Sequence, residues 1–258
     1  MKIARFSWQD QTSWGVVIND TIHELEGELW GDMDVGDPIC PLEEAKLLAP
    51  VEAHNKVMGL GLTYKDLYEE NEGDAYRDGP AIFMKPPNTN IGHLDPVIYH
   101  DVCKKVIYEA EVGIVMGKKA HLVSADEALD YVAGYTCVND VTSLRFKTVE
   151  RPIISTRFKI CDTFCPIGPV VETEIENPHD LTILCRLNGR EVERATTGRD
   201  MCFTMGECIE WVTSFMTLMP GDIICSGADG MGRIEIGDVV EVEVSEIGVL
   251  RNPIVAPE

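Results

Sequence analysis

Apolar and polar residues alternate with a period of two through much of this chain, and runs of helical period are few. Valines and acids take turns along Val239-Val240-Glu241-Val242-Glu243-Val244, the pattern of a strand with one face on a core. Near the start, residues 2–8, 14–18 and 21–25 read as short strands, with Asn19-Asp20 as a hairpin turn. Pro38, Pro41 and Pro50 then punctuate a linker with one short helical stretch over residues 42–48. Residues 57–62 read as a buried strand, and the polar, acidic segment 63–76 as a helix or a mobile lid. Two capping boxes mark helix starts. Ser124-Ala125-Asp126-Glu127 opens a short helix through Tyr131, and Thr204-Met205-Gly206-Glu207 opens one to about Met216. Many strands and few helices predict a β-rich α+β fold. Residues 1–52 are expected to form a small N-terminal β lobe and residues 53–258 the main domain.

Residues 105–115 read as one strand carrying two carboxylates. Residues two apart on a strand point the same way, about 7 Å apart. Glu109 and Glu111 then share a face with Gly113, while Tyr108, Ala110, Val112 and Ile114 take the other. Like charges side by side repel unless a cation neutralises them. A second strand-like run, residues 133–140, ends in Asn139-Asp140, two poor strand formers. Glu109, Glu111 and Asp140 together would suit a hard ion, with Mg2+ expected and Mn2+ or Ca2+ compatible. The plainer alternatives are an exposed edge strand with solvated glutamates and a turn at Asp140. Zinc is disfavoured, because no histidines pair at ligand spacing and no Cys-x-x-Cys occurs.

Charge narrows the partners. The 258 residues carry 22 Lys+Arg against 44 Asp+Glu, a formal net charge of −22. Such a surface repels nucleic acid and anionic membranes, so neither is an expected partner. A small anionic substrate would need local positive charge from a metal and a few lysines or arginines. No apolar stretch follows Met1-Lys2-Ile3-Ala4-Arg5-Phe6, and no run approaches a membrane span. The nine cysteines are irregularly spaced, often within apolar runs, which suits reduced thiols in a cytoplasm. Gly227-Ala228-Asp229-Gly230-Met231-Gly232 looks like a phosphate loop in composition only, since strand-like residues follow it. A tight turn near the mouth of a site is the better reading.

An ordered series of short motifs resembles the fumarylacetoacetate hydrolase superfamily, including its smaller 2-hydroxyhepta-2,4-diene-1,7-dioate isomerase and acylpyruvase-like members. The series is Gly59-Leu60-Gly61-Leu62-Thr63-Tyr64, Phe83-Met84-Lys85-Pro86, Tyr108-Glu109-Ala110-Glu111, Gly134-Tyr135 leading to Asn139-Asp140, Asp162-Thr163-Phe164, Asn188-Gly189 and Pro220-Gly221-Asp222. The resemblance implies a mixed β-roll or β-sandwich with an N-terminal lobe, and a homodimer. It implies that Glu109, Glu111 and Asp140 bind the metal, the three residues that alternation and hard-ion chemistry had picked out. Lys159 falls where the family places a substrate-facing lysine, and Glu70 where it places a catalytic glutamate. Tyr64, Arg145 and Lys147 are expected to meet the substrate, and Lys85 to support the lid.

The implied chemistry is enolate stabilisation on a small 2-oxo or dicarbonyl acid, performed in the family by hydrolases, decarboxylases and keto–enol isomerases. Departures from the pattern bear on which. Leu67 stands where hydrolytic members carry a histidine that works with the glutamate at Glu70, and Ala228 stands where a hydroxyl is usual. Loss of a general base costs typically about 10² to 10⁴ in rate. Isomerase or decarboxylase chemistry is therefore favoured, with C–C hydrolysis as the alternative and a non-catalytic metal-binding relative as a third reading.

Overall fold

In the computed structural model, residues 1–65, 79–146 and 155–257 are described. The N-terminal strands Lys2–Trp8, Gln11–Ile18 and Thr21–Gly27 form consecutive hairpins. Asn19 and Asp20 both take positive φ, 47° and 59°, the geometry of the two-residue turn that matches strand twist. The same sheet continues into the rest of the chain, because Lys2–Trp8 also pairs with Cys165–Glu172. Beyond it the order runs Val132–Asn139, Ala110–Met116, Ile223–Cys225, Val57–Gly61 and Ala81–Lys85.

A five-stranded sheet centred on Val239–Val244 packs across this one. Val240, Val242 and Val244 are buried while Val239, Glu241 and Glu243 are half-buried, as the alternation predicts. They share a core with Val112, Ile114 and Cys137 of the large sheet. A third, small sheet joins Cys103–Tyr108 to Thr142–Phe146 and Gly232–Ile234. The fold is thus β-rich α+β. Its longest described helix, Met205–Phe215, starts at the Thr204 capping box, with both reciprocal hydrogen bonds formed. No helix among the described residues is long and apolar enough to cross a membrane.

Three local expectations take a different form in the structure. Residues 42–48 form one 3₁₀ turn, Leu42–Glu44, and then a strand, Lys46–Leu48, because the chain there pairs with Lys2–Trp8. The Ser124 box opens onto a single 3₁₀ turn, Ala128–Tyr131, with Ser124 Oγ donating to Glu127 Oε2 at 2.9 Å. The third correction matters most for function. The stretch 105–115 is two strands, Cys103–Tyr108 and Ala110–Met116, and the chain passes from the small sheet to the large one at Glu109.

Candidate metal centre

That change of sheet sets the geometry of the acids. The Glu109 peptide is gripped from both sides: its carbonyl accepts from Asp140 N at 2.9 Å, and its N–H donates to Asn139 Oδ1 at 3.2 Å. Asn139, the last residue of Val132–Asn139, is paired with Ala110. A poor strand former therefore ends this strand because its amide is used to hold the neighbouring one. Asp140, one residue on, is placed beside Glu109, and both Asp140 and Glu111 are buried.

Two lysines enter this acidic cluster. Lys159 Nζ donates to Glu109 Oε2 at 2.6 Å, to Thr142 Oγ1 at 2.6 Å and to Asp140 Oδ2. The Phe83 ring lies beneath it, 4.5 Å from Nζ to centroid. Lys85 Nζ donates to Asp140 Oδ1 at 2.6 Å and to the Val141 carbonyl at 3.1 Å. Most of the lid that Lys85 was expected to support lies outside the described residues; Lys85 itself is a buried partner of Asp140. Its position at the end of an apolar strand, just before Pro86, was the available sign of a buried charge.

Glu111 is held differently. Its Oε2 accepts from Gly227 N at 2.9 Å. Gly227 takes φ of +86°, and a Cβ there would stand 2.0 Å from Thr63 Oγ1, so only glycine lets the loop approach this closely. Thr63 Oγ1 in turn donates to the Ser226 carbonyl at 2.6 Å. The glycine-rich segment thus meets the acidic cluster through Gly227.

The electrostatics follow from burial. Desolvation raises Glu111 well above the usual carboxylate range, and the charges of Asp140 and Glu109 add to it. Glu109 is raised as well, chiefly by burial, with Lys159 pulling against it. Burial also pushes Asp140 upward, yet the Lys159 and Lys85 ammoniums outweigh it and leave this carboxyl below its ordinary value. Burial would lower Lys159, but Asp140 and Glu109 raise it instead, so it stays charged. Tyr64 is fully buried, and desolvation and then Glu111 keep its hydroxyl neutral.

Among the described residues three carboxylates face two ammoniums, so this part of the cluster is one positive charge short. Among the described residues no three His, Cys, Asp or Glu side chains stand in a ready coordination arrangement. In this structure Lys159 holds the space between Glu109 and Asp140 that a cation would share. The all-oxygen donor set and the charge deficit fit a hard divalent ion with room for further oxygen ligands. Of the other expected residues, Arg145 is exposed on Thr142–Phe146, while Glu70 and Lys147 lie outside the described residues, as do Leu67 and most of the expected lid.

The family described as fumarylacetoacetate (FAA) hydrolase, C-terminal, matches residues 56–255. The chain belongs to the fumarylacetoacetate hydrolase family. A second family, described as Rv2993c-like, N-terminal, matches residues 1–50. The mitochondrial oxaloacetate tautomerase Fahd2a of Rattus norvegicus is 35% identical over 230 residues, 84% of this chain and 72% of that protein. The crystal structure of 2-hydroxyhepta-2,4-diene-1,7-dioate isomerase from Mycobacterium marinum superposes with a TM-score of 0.87 at 32% identity, covering 99% of this chain and 98% of that one. Maleylpyruvate hydrolase from Sphingobium sp. SYK-6, solved with manganese(II) and pyruvate, superposes with a TM-score of 0.80 at 25% identity over the whole of both chains. The fumarylacetoacetate hydrolase fold thus serves isomerases, tautomerases and hydrolases among the relatives of this enzyme.

Proposed function

We propose that this enzyme uses a divalent metal held by Glu109, Glu111 and Asp140 to interconvert the keto and enol forms of a small 2-oxo acid, with decarboxylation as the neighbouring reaction. The observation that carries this reading is the Lys159 ammonium lying against Glu109 and Asp140 at the heart of a buried acidic cluster. A hard divalent ion, when bound, supplies Lewis acidity toward a 2-oxo acid and stabilises the negative charge of its enolate.

The chain's own residues divide the remaining work. Lys85 and the Gly227 N–H hold Asp140 and Glu111 in fixed orientations before any ligand arrives. Thr142 donates to Glu109 Oε2 and does the same for the third acid. Lys159, kept charged, is a donor for an oxygen on which negative charge develops, and is a poor base. Enolisation breaks a C–H bond next to the keto carbon and forms an O–H bond, so a proton must be carried between them. Glu70 is the carboxylate assigned to that transfer, and Tyr64, Arg145 and Lys147 are assigned to the substrate. We further assign the enzyme to the cytoplasm and to a homodimer, with neither nucleic acid nor membrane as partner.

Oxaloacetate, the substrate named for the curated tautomerases, is the first compound to test. Decay of its enol absorbance should accelerate with enzyme and Mg2+ or Mn2+, and fall to the background rate with a chelator. Manganese binding without turnover of any 2-oxo acid would reduce the protein to a metal-binding relative. Hydrolysis of an acylpyruvate faster than tautomerisation would instead select the hydrolase reading, which the maleylpyruvate hydrolase structure keeps in view.

A further inference from the structure

The loop that holds Glu111 is itself held at its other end. Gly227 N donates to Glu111 Oε2 at 2.9 Å, and three residues later Gly230 N donates to Glu193 Oε1 at 3.1 Å. Glu193 lies on Arg190–Thr196, a strand of the five-stranded sheet, far in sequence from every acid of the cluster. Its Oε2 is buried and has no hydrogen-bond partner among the described residues. The contact with the loop is close, since a Cβ on Gly230 would stand 3.2 Å from Glu193 Cδ.

We propose that Glu193 is a positioning residue for the site, which fixes the 226–231 loop through Gly230 and does so best with its carboxyl group uncharged. The proposal rests on the reading of the acidic cluster as a catalytic centre, and adds to it a control of Glu111 from the second sheet. An uncharged carboxyl keeps Oε1 as an acceptor for Gly230 and brings no further negative charge to the cluster. Once ionised, it repels Asp229 within the same loop and Glu109 within the site.

The groups acting on Glu193 agree. Burial is the largest influence and raises its carboxyl to about 7; the Gly230 N–H opposes this, and Asp229 and Glu109 add to it. From the other packed elements, Tyr108 and Cys185 face it, and burial leaves both un-ionised. Cys185 is its register partner on Thr182–Leu187. The nearest cation on its own strand, Arg194, is engaged by Glu191 at 2.8 Å. Ionisation of Glu193 near neutrality is therefore not offset by a cation in these contacts.

The test compares wild type with Glu193→Gln, which stays uncharged and keeps the acceptor, and with Glu193→Ala, which removes it. Amide hydrogen exchange across residues 226–233, corrected for the intrinsic pH dependence, reads the loop without metal or substrate. Wild type should lose protection between pH 6 and pH 8, Glu193→Gln should keep it at both, and Glu193→Ala should lack it at both. In the loaded enzyme, kcat/KM for the 2-oxo acid should fall about fivefold over that range in wild type and stay level in Glu193→Gln. Equal loop exchange in all three proteins overturns the proposal, as does a Glu193→Gln enzyme with the wild-type pH profile. Absence of turnover in wild type strikes the proposed function instead, and leaves the exchange arm to decide this inference.

Discussion

The ammonium of Lys85 is wholly buried and lies 2.6 Å from Asp140 Oδ1, across 55 residues of sequence. Its second hydrogen bond, to the Val141 carbonyl, ties it to the residue after its partner. A charge this deep stays only if it is paired, and the pair is easier to break than to replace. Lys85→Met should lower stability by about 3 kcal/mol, the cost of taking from a buried charge one of its two cationic partners. Urea denaturation of both proteins without added metal measures it, and a loss within error of zero would mean that Lys159 alone supports Asp140.

Lys159 makes a sharper case because two of its functions oppose each other. Its ammonium competes with any cation for Glu109 and Asp140, yet it is the donor assigned to the developing oxyanion. Lys159→Met should therefore bind Mn2+ more tightly than wild type while losing at least about 100-fold in kcat, as removal of an oxyanion donor does. Calorimetric titration and initial rates give the two numbers. Weaker metal binding in the variant would show that the lysine supports the acids and does not compete for them.

Stability should depend on pH through Glu193 in a definite direction. Its carboxyl is raised from 4.5 to about 7 on folding. A raised carboxyl favours the protonated native state, so its contribution is full below about pH 4.5 and is lost as pH rises through about 7. Between pH 5 and pH 8 wild type should lose more stability than Glu193→Gln. Parallel curves for the two proteins would remove Glu193 from the account.

The capping box provides a control outside the acidic cluster. Thr204 Oγ1 accepts from Glu207 N at 3.1 Å, and Glu207 Oε2 accepts from Thr204 N at 2.7 Å. Thr204→Ala should cost about 1 kcal/mol and leave Mn2+ affinity unchanged. A drop in affinity would mean that the helix Met205–Phe215 supports the site directly.

Local pattern was enough for much of this protein. The alternation in Val239–Val244, the turn at Asn19-Asp20 and the box at Thr204 each depend on residues within a few positions, and each formed as the sequence predicts. The candidate acids were legible for the same reason, since Glu109, Glu111 and Asp140 interrupt otherwise strand-like runs. What the sequence could not show is set by pairing between distant segments. Residues 46–48 became a strand because an edge was waiting for them, and the chain changes sheet at Glu109 because Asn139 and Asp140 grip its peptide. Lys85 and Gly227 reach the acids from two other elements, Glu193 touches the Gly227 loop at Gly230, and no spacing in the sequence records those approaches. Side-chain periodicity is a property of one strand. The balance of buried charge belongs to the whole fold, and only the tertiary structure could decide it.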